Sequence, residues 1–248
     1  MGWVDTHCHL QLDQRDPAAL LQRAPHVDWV VAPGVDLESS KASLELASHH
    51  PGRILPTVGL HPHEAELWPD IEEEMSELAT VATAIGETGL DYYRELAPRQ
   101  SQRASFQAQI DLASTLGKPL IVHCRDAFKD VFDMVEDGGA GANTVLHCWT
   151  GGPKWTKRFL DLGVIFSFAG PLAFETGETV RFGAAEVPPG RAMVETDTPY
   201  LAPPPHRGEP NEPGWVSLVG EALAAVWGMS AQEVATVTSS TASRVFGR

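Results

Sequence analysis

Side chains able to bind a metal recur along this chain at the ends of short apolar runs: His7 and His9, then Glu87, His123, His147 and Asp197. In Val4-Asp5-Thr6-His7-Cys8-His9-Leu10 the period of two of an extended strand turns His7 and His9 to one side and Cys8 to the other. Two imidazoles side by side make a chelate. Four neutral nitrogens with two carboxylates suit a divalent cation, and Zn, Mn, Fe and Mg all remain open. A carboxylate shared between two cations holds them about 3.5 to 4 Å apart, where the attacking and leaving oxygens of a hydrolysis are both stabilised. Glu87 is assigned to that bridge. A lone histidine at a strand end is more often a hydrogen-bonded structural residue, but the His7–His9 pair reverses those odds.

The elements that must position these residues follow from the apolar pattern. Eight short runs rich in Val, Ile and Leu predict strands over Trp3–Thr6, Asp28–Ala32, Ile54–Gly59, Ala82–Glu87, Pro119–His123, Thr144–His147, Val164–Ser167 and Ala192–Thr196. Amphipathic stretches between them predict helices over Asp36–Ser48, Ile71–Thr80, Arg99–Leu116, Asp126–Glu136, Pro153–Leu162 and Gly177–Ala185. Phe106, Ile110, Ala113 and Leu116 mark the helical period most clearly, before Gly117-Lys118-Pro119 stops it. Two closing helices, Glu212–Trp227 and Ser230–Phe246, are expected outside the last strand, the second opened by a Ser230/Glu233 capping box. Strand alternating with helix eight times predicts a (β/α)₈ barrel, whose active sites lie at the C-terminal strand ends. All six residues of the opening set fall there.

Length and composition agree. The chain has 248 residues, 43% of them hydrophobic and 21% charged, which fits one domain over residues 1–248. No apolar run spans a bilayer, and Trp3-Val4-Asp5 follows the start without a basic-then-apolar leader, so a cytoplasmic protein is expected, read as monomeric or weakly associating. Cys8, Cys124 and Cys148 are an odd set without close pairing, which argues against a disulfide framework. Each neighbours a candidate histidine, but alternation turns them away, so they are assigned to packing beneath the helices rather than to thiolate ligation. Thirty-three acidic against 18 basic residues give a net charge of −15. That sign opposes binding of long nucleic acid by counterion release, so any polyanion must be gripped locally.

Residues for such a grip stand near the same strand ends. His61 and His63, in Gly59-Leu60-His61-Pro62-His63, could bind substrate or assist a leaving group. Arg94, Arg125 and Arg207 could clamp phosphate with bidentate forks, the competing reading of each being a solvated loop arginine. The proline-rich run from Thr198 to Asn211 reads as an active-site loop. His26, His49, His50 and His206 lack such company and are read as surface or loop residues.

Together, Asp5-Thr6-His7-Cys8-His9, Gly59-Leu60-His61-Pro62-His63, Gly86-Glu87-Thr88-Gly89-Leu90-Asp91, Val122-His123-Cys124-Arg125-Asp126-Ala127, His147-Cys148-Trp149-Thr150-Gly151 and Glu195-Thr196-Asp197-Thr198-Pro199-Tyr200-Leu201 resemble the motif set of the TatD family of metal-dependent deoxyribonucleases, in the amidohydrolase superfamily. The resemblance spans essentially the whole chain. It implies a barrel binding two divalent ions (Mg, Mn or Zn), one held by His7, His9, Glu87 and Asp197, the other by Glu87, His123 and His147. It further implies phosphodiester cleavage in DNA with 3′–5′ exonuclease character, acting on DNA ends or single strands. On the reading of the residues themselves, Asp197 is the base, Glu87 the bridge and His63, or His61, the aid to the leaving group, with His61, Arg94, Arg125 and Arg207 on the substrate. A TatD-like branch acting as a D-aminoacyl-tRNA deacylase resembles the chain as well, so a deacylase or other ester hydrolase with the same centre is the alternative. A silent binding barrel would have no need of the complete ligand set.

The acidic surface carries its own prediction. Without metal, long duplex DNA should bind weakly in fluorescence anisotropy at physiological salt, and tight metal-free duplex binding would contradict local gripping.

Overall fold

Strands with apolar residues on both faces must be covered on both, and this chain does so by curling its sheet shut and wrapping it in helices. The computed structural model describes residues 2–248, so Met1 of the expected domain lies outside the described residues. Eight strands pair in chain order, each parallel to the next: β1 (Trp3–Asp5), β2 (Val27–Pro33), β3 (Ile54–Val58), β4 (Ala84–Asp91), β5 (Leu120–Arg125), β6 (Thr144–Leu146), β7 (Ile165–Phe168) and β8 (Ala192–Val194). Between β8 and β1 the seam is closed by single bonds beyond the strand ends. Thr6 N–H donates to Val194 O (3.1 Å), Asp197 N–H to His7 O (2.9 Å) and His9 N–H to Thr198 O (2.8 Å). The expected (β/α)₈ barrel is therefore present.

Around it run α1 (Pro17–Arg23), α2 (Leu37–His49), α3 (Trp68–Val81), α4 (Arg99–Leu116), α5 (Phe128–Asp137), α6 (Pro153–Asp161), α7 (Glu178–Ala185), α8 (Val216–Trp227) and α9 (Ala231–Phe246). In α4 the predicted stripe is buried at Phe106, Ile110 and Ala113, and the helix ends where Gly117 takes a left-handed φ of 62°. The Ser230/Glu233 capping box opens α9 as expected. Helix α1 lacked a sequence signal strong enough to be predicted: its seven residues are too short for a period. No helix among the described residues is long and apolar enough to cross a membrane.

Two apolar layers result. Side chains such as Phe106, Phe159, Phe166 and Val219 fill the layer between barrel and helices. A second cluster fills the barrel itself: Val4, Trp29, Val31, Ala84, Ile121, Val145, Ile165 and Met193 from the strands, with Ala242 and Phe246 of α9. Helix α9 thus differs from the expectation of a helix merely outside the last strand. It plugs the barrel floor, and its Phe246 ring meets Trp29 edge to face at 6.1 Å between centroids.

The plug is testable. Phe246→Ala should cost about 3 to 5 kcal/mol in urea unfolding, the usual loss for a buried aromatic. A change under about 1 kcal/mol would show that the floor is held by other contacts.

Candidate metal centre

Directly above that apolar floor the barrel interior turns polar. His123, His147 and Glu195 follow the inward Ile121, Val145 and Met193 by two residues, so strand alternation brings them inward, whereas Asp197 lies past the end of β8. His7 and Glu87 need more than alternation. Val4 lies inside the barrel, and His7, three residues on, would face out if the strand ran straight; β1 instead ends at Asp5 and the chain bends at Thr6. In β4, Ile85 pairs with Leu120 but Thr88 with Val122, so β4 carries one extra residue at Gly86-Glu87. Such a bulge swaps the faces of everything after it. Ala84 points in below it and Glu87 points in above it. Gly86 sits at φ 133° with Ile121 O only 2.5 Å from where a Cβ would stand, so the bulge requires glycine there. Glu87 N–H donates to Gly34 O at 2.7 Å, and Thr57 Oγ1 to Gly86 O at 2.5 Å, pinning the bulge.

Glu87 and His123 consequently lie within strands rather than at their ends, a correction to the expected boundaries: β4 runs on to Asp91 and β5 to Arg125.

The two oxygens of Glu87 serve different histidines. Oε2 lies 3.2 Å from His7 Nε2 and 3.7 Å from His9 Nε2. Oε1 lies 2.9 Å from His147 Nε2, 3.0 Å from His123 Nδ1 and 3.5 Å from His61 Nε2. Asp197, whose backbone takes a left-handed φ of 60°, brings Oδ1 to 3.4 Å from His9 Nε2 and 3.9 Å from His7 Nε2. His7 and His9 approach each other at 3.2 Å between Nε2 atoms, and His123 Nδ1 and His147 Nε2 at 3.3 Å. Acceptor atoms crowded this closely in a buried site repel unless positive charge sits among them. The donors fit divalent cations by chemistry, imidazole nitrogen with carboxylate oxygen, and by the two-sided use of Glu87. Three overlapping sets could hold an ion: His7, His9 and Glu87; His7, His147 and Asp197; and His61, Glu87 and His123.

Electrostatics agree. Burial works to raise the Glu87 carboxyl, but facing His147, His61 and His7 and the bond from His123 outweigh it and hold the group well below the usual carboxylate range. Burial works to lower His147, yet Glu87 and Glu195 lift it well above the usual imidazole value. The centre is thus a place where positive charge is favoured. His61, by contrast, is pushed well below its ordinary value by burial and stays neutral.

Two carboxylates of the centre escaped assignment from sequence. Glu195 Oε1 accepts from Cys148 N–H (2.7 Å) and pairs with His147 Nδ1 (3.2 Å), which aims Nε2 at Glu87. Its period-two spacing from Asp197, the same as that of His7 and His9, was the available signal. Asp91 Oδ2 lies 2.9 Å from His63 Nε2 and 3.5 Å from His123 Nε2, while its Oδ1 accepts the backbone N–H groups of Tyr93 and Arg94. Burial works to raise the Asp91 carboxyl, but bonds from His123, Arg94 N–H and His63 keep it below its ordinary range.

Of the other expected residues, His61 stands among the histidines of Oε1, and His63 stands one carboxylate away, half-open to solvent. None of the three arginines forms an ion pair with Glu87, Asp91, Glu195 or Asp197. Arg125 lies over the Tyr93 ring and Arg207 over the Phe174 ring, while Arg94 is exposed and tied down by its backbone. Cys8 and Cys124 join the layer beneath the helices as expected. Cys148 is the exception: its φ of 43° and the bond from its N–H to Glu195 set it beside the centre, where burial and the charges of Asp197, Glu195 and Glu87 push its thiol well up, so it is no thiolate.

A barrel with imidazoles and carboxylates gathered at the C-terminal side of its strands is the architecture of a metal-dependent hydrolase. Residues 4–247 match the family model described as TatD related DNase. The chain is 34% identical to YabD of Bacillus subtilis, named an uncharacterized metal-dependent hydrolase, over 98% of each. It is 32% identical to the Klebsiella pneumoniae protein named 3′-5′ ssDNA/RNA exonuclease TatD, over 94% of this chain and 91% of that one. Its fold matches the crystal structure of YJJV, a TatD homologue of Escherichia coli, with a TM-score of 0.92 over 99% of this chain and 98% of that one at 24% identity. This chain belongs to the TatD family of metal-dependent hydrolases.

Because Glu195 fixes the ring of His147, Glu195→Ala should weaken metal uptake about 10- to 100-fold in titration calorimetry, the usual cost of losing a ligand's support. Unchanged affinity would show that His147 is oriented without it.

Proposed function

We propose that the protein is a two-metal 3′–5′ exonuclease acting on single-stranded DNA ends. The observation that carries the reading is Glu87, whose Oε2 faces His7 and His9 while its Oε1 faces His123, His147 and His61. In this reading His7, His9, Glu87 and Asp197 hold one divalent cation and Glu87, His123 and His147 the other, with Mg, Mn and Zn as candidates. When bound, the ions supply a water acidified toward neutral pH and positive charge for the phosphoryl oxygens.

The chain's own residues do the rest. Asp197 is the ligand whose carboxylate is partly open to solvent, so it is placed to orient the attacking water and take its proton. His63 is held by Asp91 with its ring partly exposed, the arrangement of an acid that protonates a leaving oxygen. His61 lines the same side as a neutral ring. Arg125, which ends β5, Arg94, three residues past β4, and Arg207, in the loop after β8, are assigned to the phosphates. DNA as the substrate draws support from the relative named an ssDNA/RNA exonuclease, and single-strandedness from a net charge of −15 that disfavours lying along a duplex.

End-labelled single-stranded DNA incubated with protein and Mg or Mn should be shortened stepwise from its 3′ end, and Glu87→Ala should lower the rate by about 1,000-fold or more while keeping the fold by circular dichroism. Release of amino acid from a D-aminoacyl-tRNA in a parallel reaction, with the DNA untouched, would overturn the nuclease reading.

A further inference from the structure

Of the three exposed Phe and Tyr rings among the described residues, Phe182 lies on α7, whereas Tyr93 and Tyr200 both stand at the mouth of the barrel beside the metal centre. Tyr93, two residues past the end of β4, is 61% exposed, and Tyr200, in the loop after β8, is 55% exposed. The guanidinium of Arg125 lies 4.0 Å from the centroid of the Tyr93 ring. On the β7–β8 side the guanidinium of Arg207 lies 3.7 Å from the centroid of Phe174. Tyr200 adjoins the centre itself, its ring 6.1 Å from that of His9. It is not a loose side chain on a loose loop. Tyr200 N–H donates to Asp197 O at 2.7 Å, and its carbonyl accepts from the buried Asn211 side chain at 2.7 Å.

Two arginine-on-ring pairs and a pinned tyrosine around one opening resemble neither a core nor a salt-bridge network. Each pair offers a π surface and a planar cation together, the combination that holds unpaired bases and their phosphates without reading sequence. The acidic body makes such a device useful, because with a net charge of −15 a strand cannot be held by charge alone. Bases in a duplex are already stacked on one another and cannot use these surfaces.

We propose that Tyr93 with Arg125, Phe174 with Arg207, and Tyr200 form a nucleobase-stacking rim that captures the last bases of a single strand and feeds its end to the centre. This rests on the nuclease reading and adds to it how the substrate is held. The rim makes recognition depend on the presence of bases and not on their identity, and it excludes an uninterrupted duplex.

Anisotropy with the metal-loaded protein tests this, using a labelled thymidine strand and an abasic strand of equal length, both with 3′-terminal phosphorothioate linkages to slow cleavage. The wild type should bind the thymidine strand at least about tenfold more tightly than the abasic one. The double variant Tyr93→Leu/Phe174→Leu should lose most of that preference, and Tyr93→Phe should keep it, with melting temperatures showing each variant folded. Equal binding of the two strands by the wild type, or full preference in the double variant, overturns the rim. Gel analysis of parallel reactions with the same two strands lacking phosphorothioates reads the nuclease proposal separately. Base-dependent binding without any shortening removes the nuclease and leaves the rim, whereas shortening without base dependence removes the rim and leaves the nuclease.

Discussion

A single buried carboxylate among imidazoles governs this structure. Glu87 is nearly inaccessible, and a charge in such a place is costly unless opposite charge or donors meet it on every side. It is met from the segment after β1 through His7 and His9, from β5 through His123, from the residue after β6 through His147, and from the segment after β3 through His61. Elements far apart in the chain are thereby committed to one point. The bulge at Gly86 is what turns the carboxylate there, and the glycine, the Thr57 hydroxyl and the Gly34 carbonyl are the local means.

The remainder of the barrel can be understood as support for that point. Below it, the strands' inward side chains and the α9 plug form an apolar floor. At the seam, buried Asp5 accepts from Thr196 N–H (2.9 Å), Thr196 Oγ1 (2.5 Å) and, less closely, His7 N–H (3.3 Å). Burial pushes the Asp5 carboxyl up to about 7 against those bonds. One side chain thus ties the segment that leads to His7 to the segment carrying Asp197. Glu195 and Asp91 then orient His147 and His63 from behind.

Much of this was legible in the sequence because it follows from alternation. His7 with His9, and His123, His147 and Asp197 each after an apolar run, were readable as inward-facing residues at one end of a parallel barrel. The strand count and helix order were readable for the same reason. What alternation cannot show is its own breakage. The extra residue in β4 and the bend at Thr6 reverse the faces of Glu87 and His7, and a straight reading of either strand would have put one of its residues on the wrong side. Asp91 was hidden because a lone carboxylate has no period, and Glu195, although spaced by two from Asp197, because a carboxylate gains its meaning only from the histidine it meets. The role of α9 as a floor was hidden because an amphipathic helix does not declare which surface receives its apolar face.

The most direct test is a crystal structure of the protein grown with Mn, with anomalous difference density computed at the centre. Two peaks should flank Glu87, about 3.5 to 4 Å apart, one beside His7, His9 and Asp197 and the other beside His123 and His147. A single peak, or two peaks that do not share Glu87, would contradict the account.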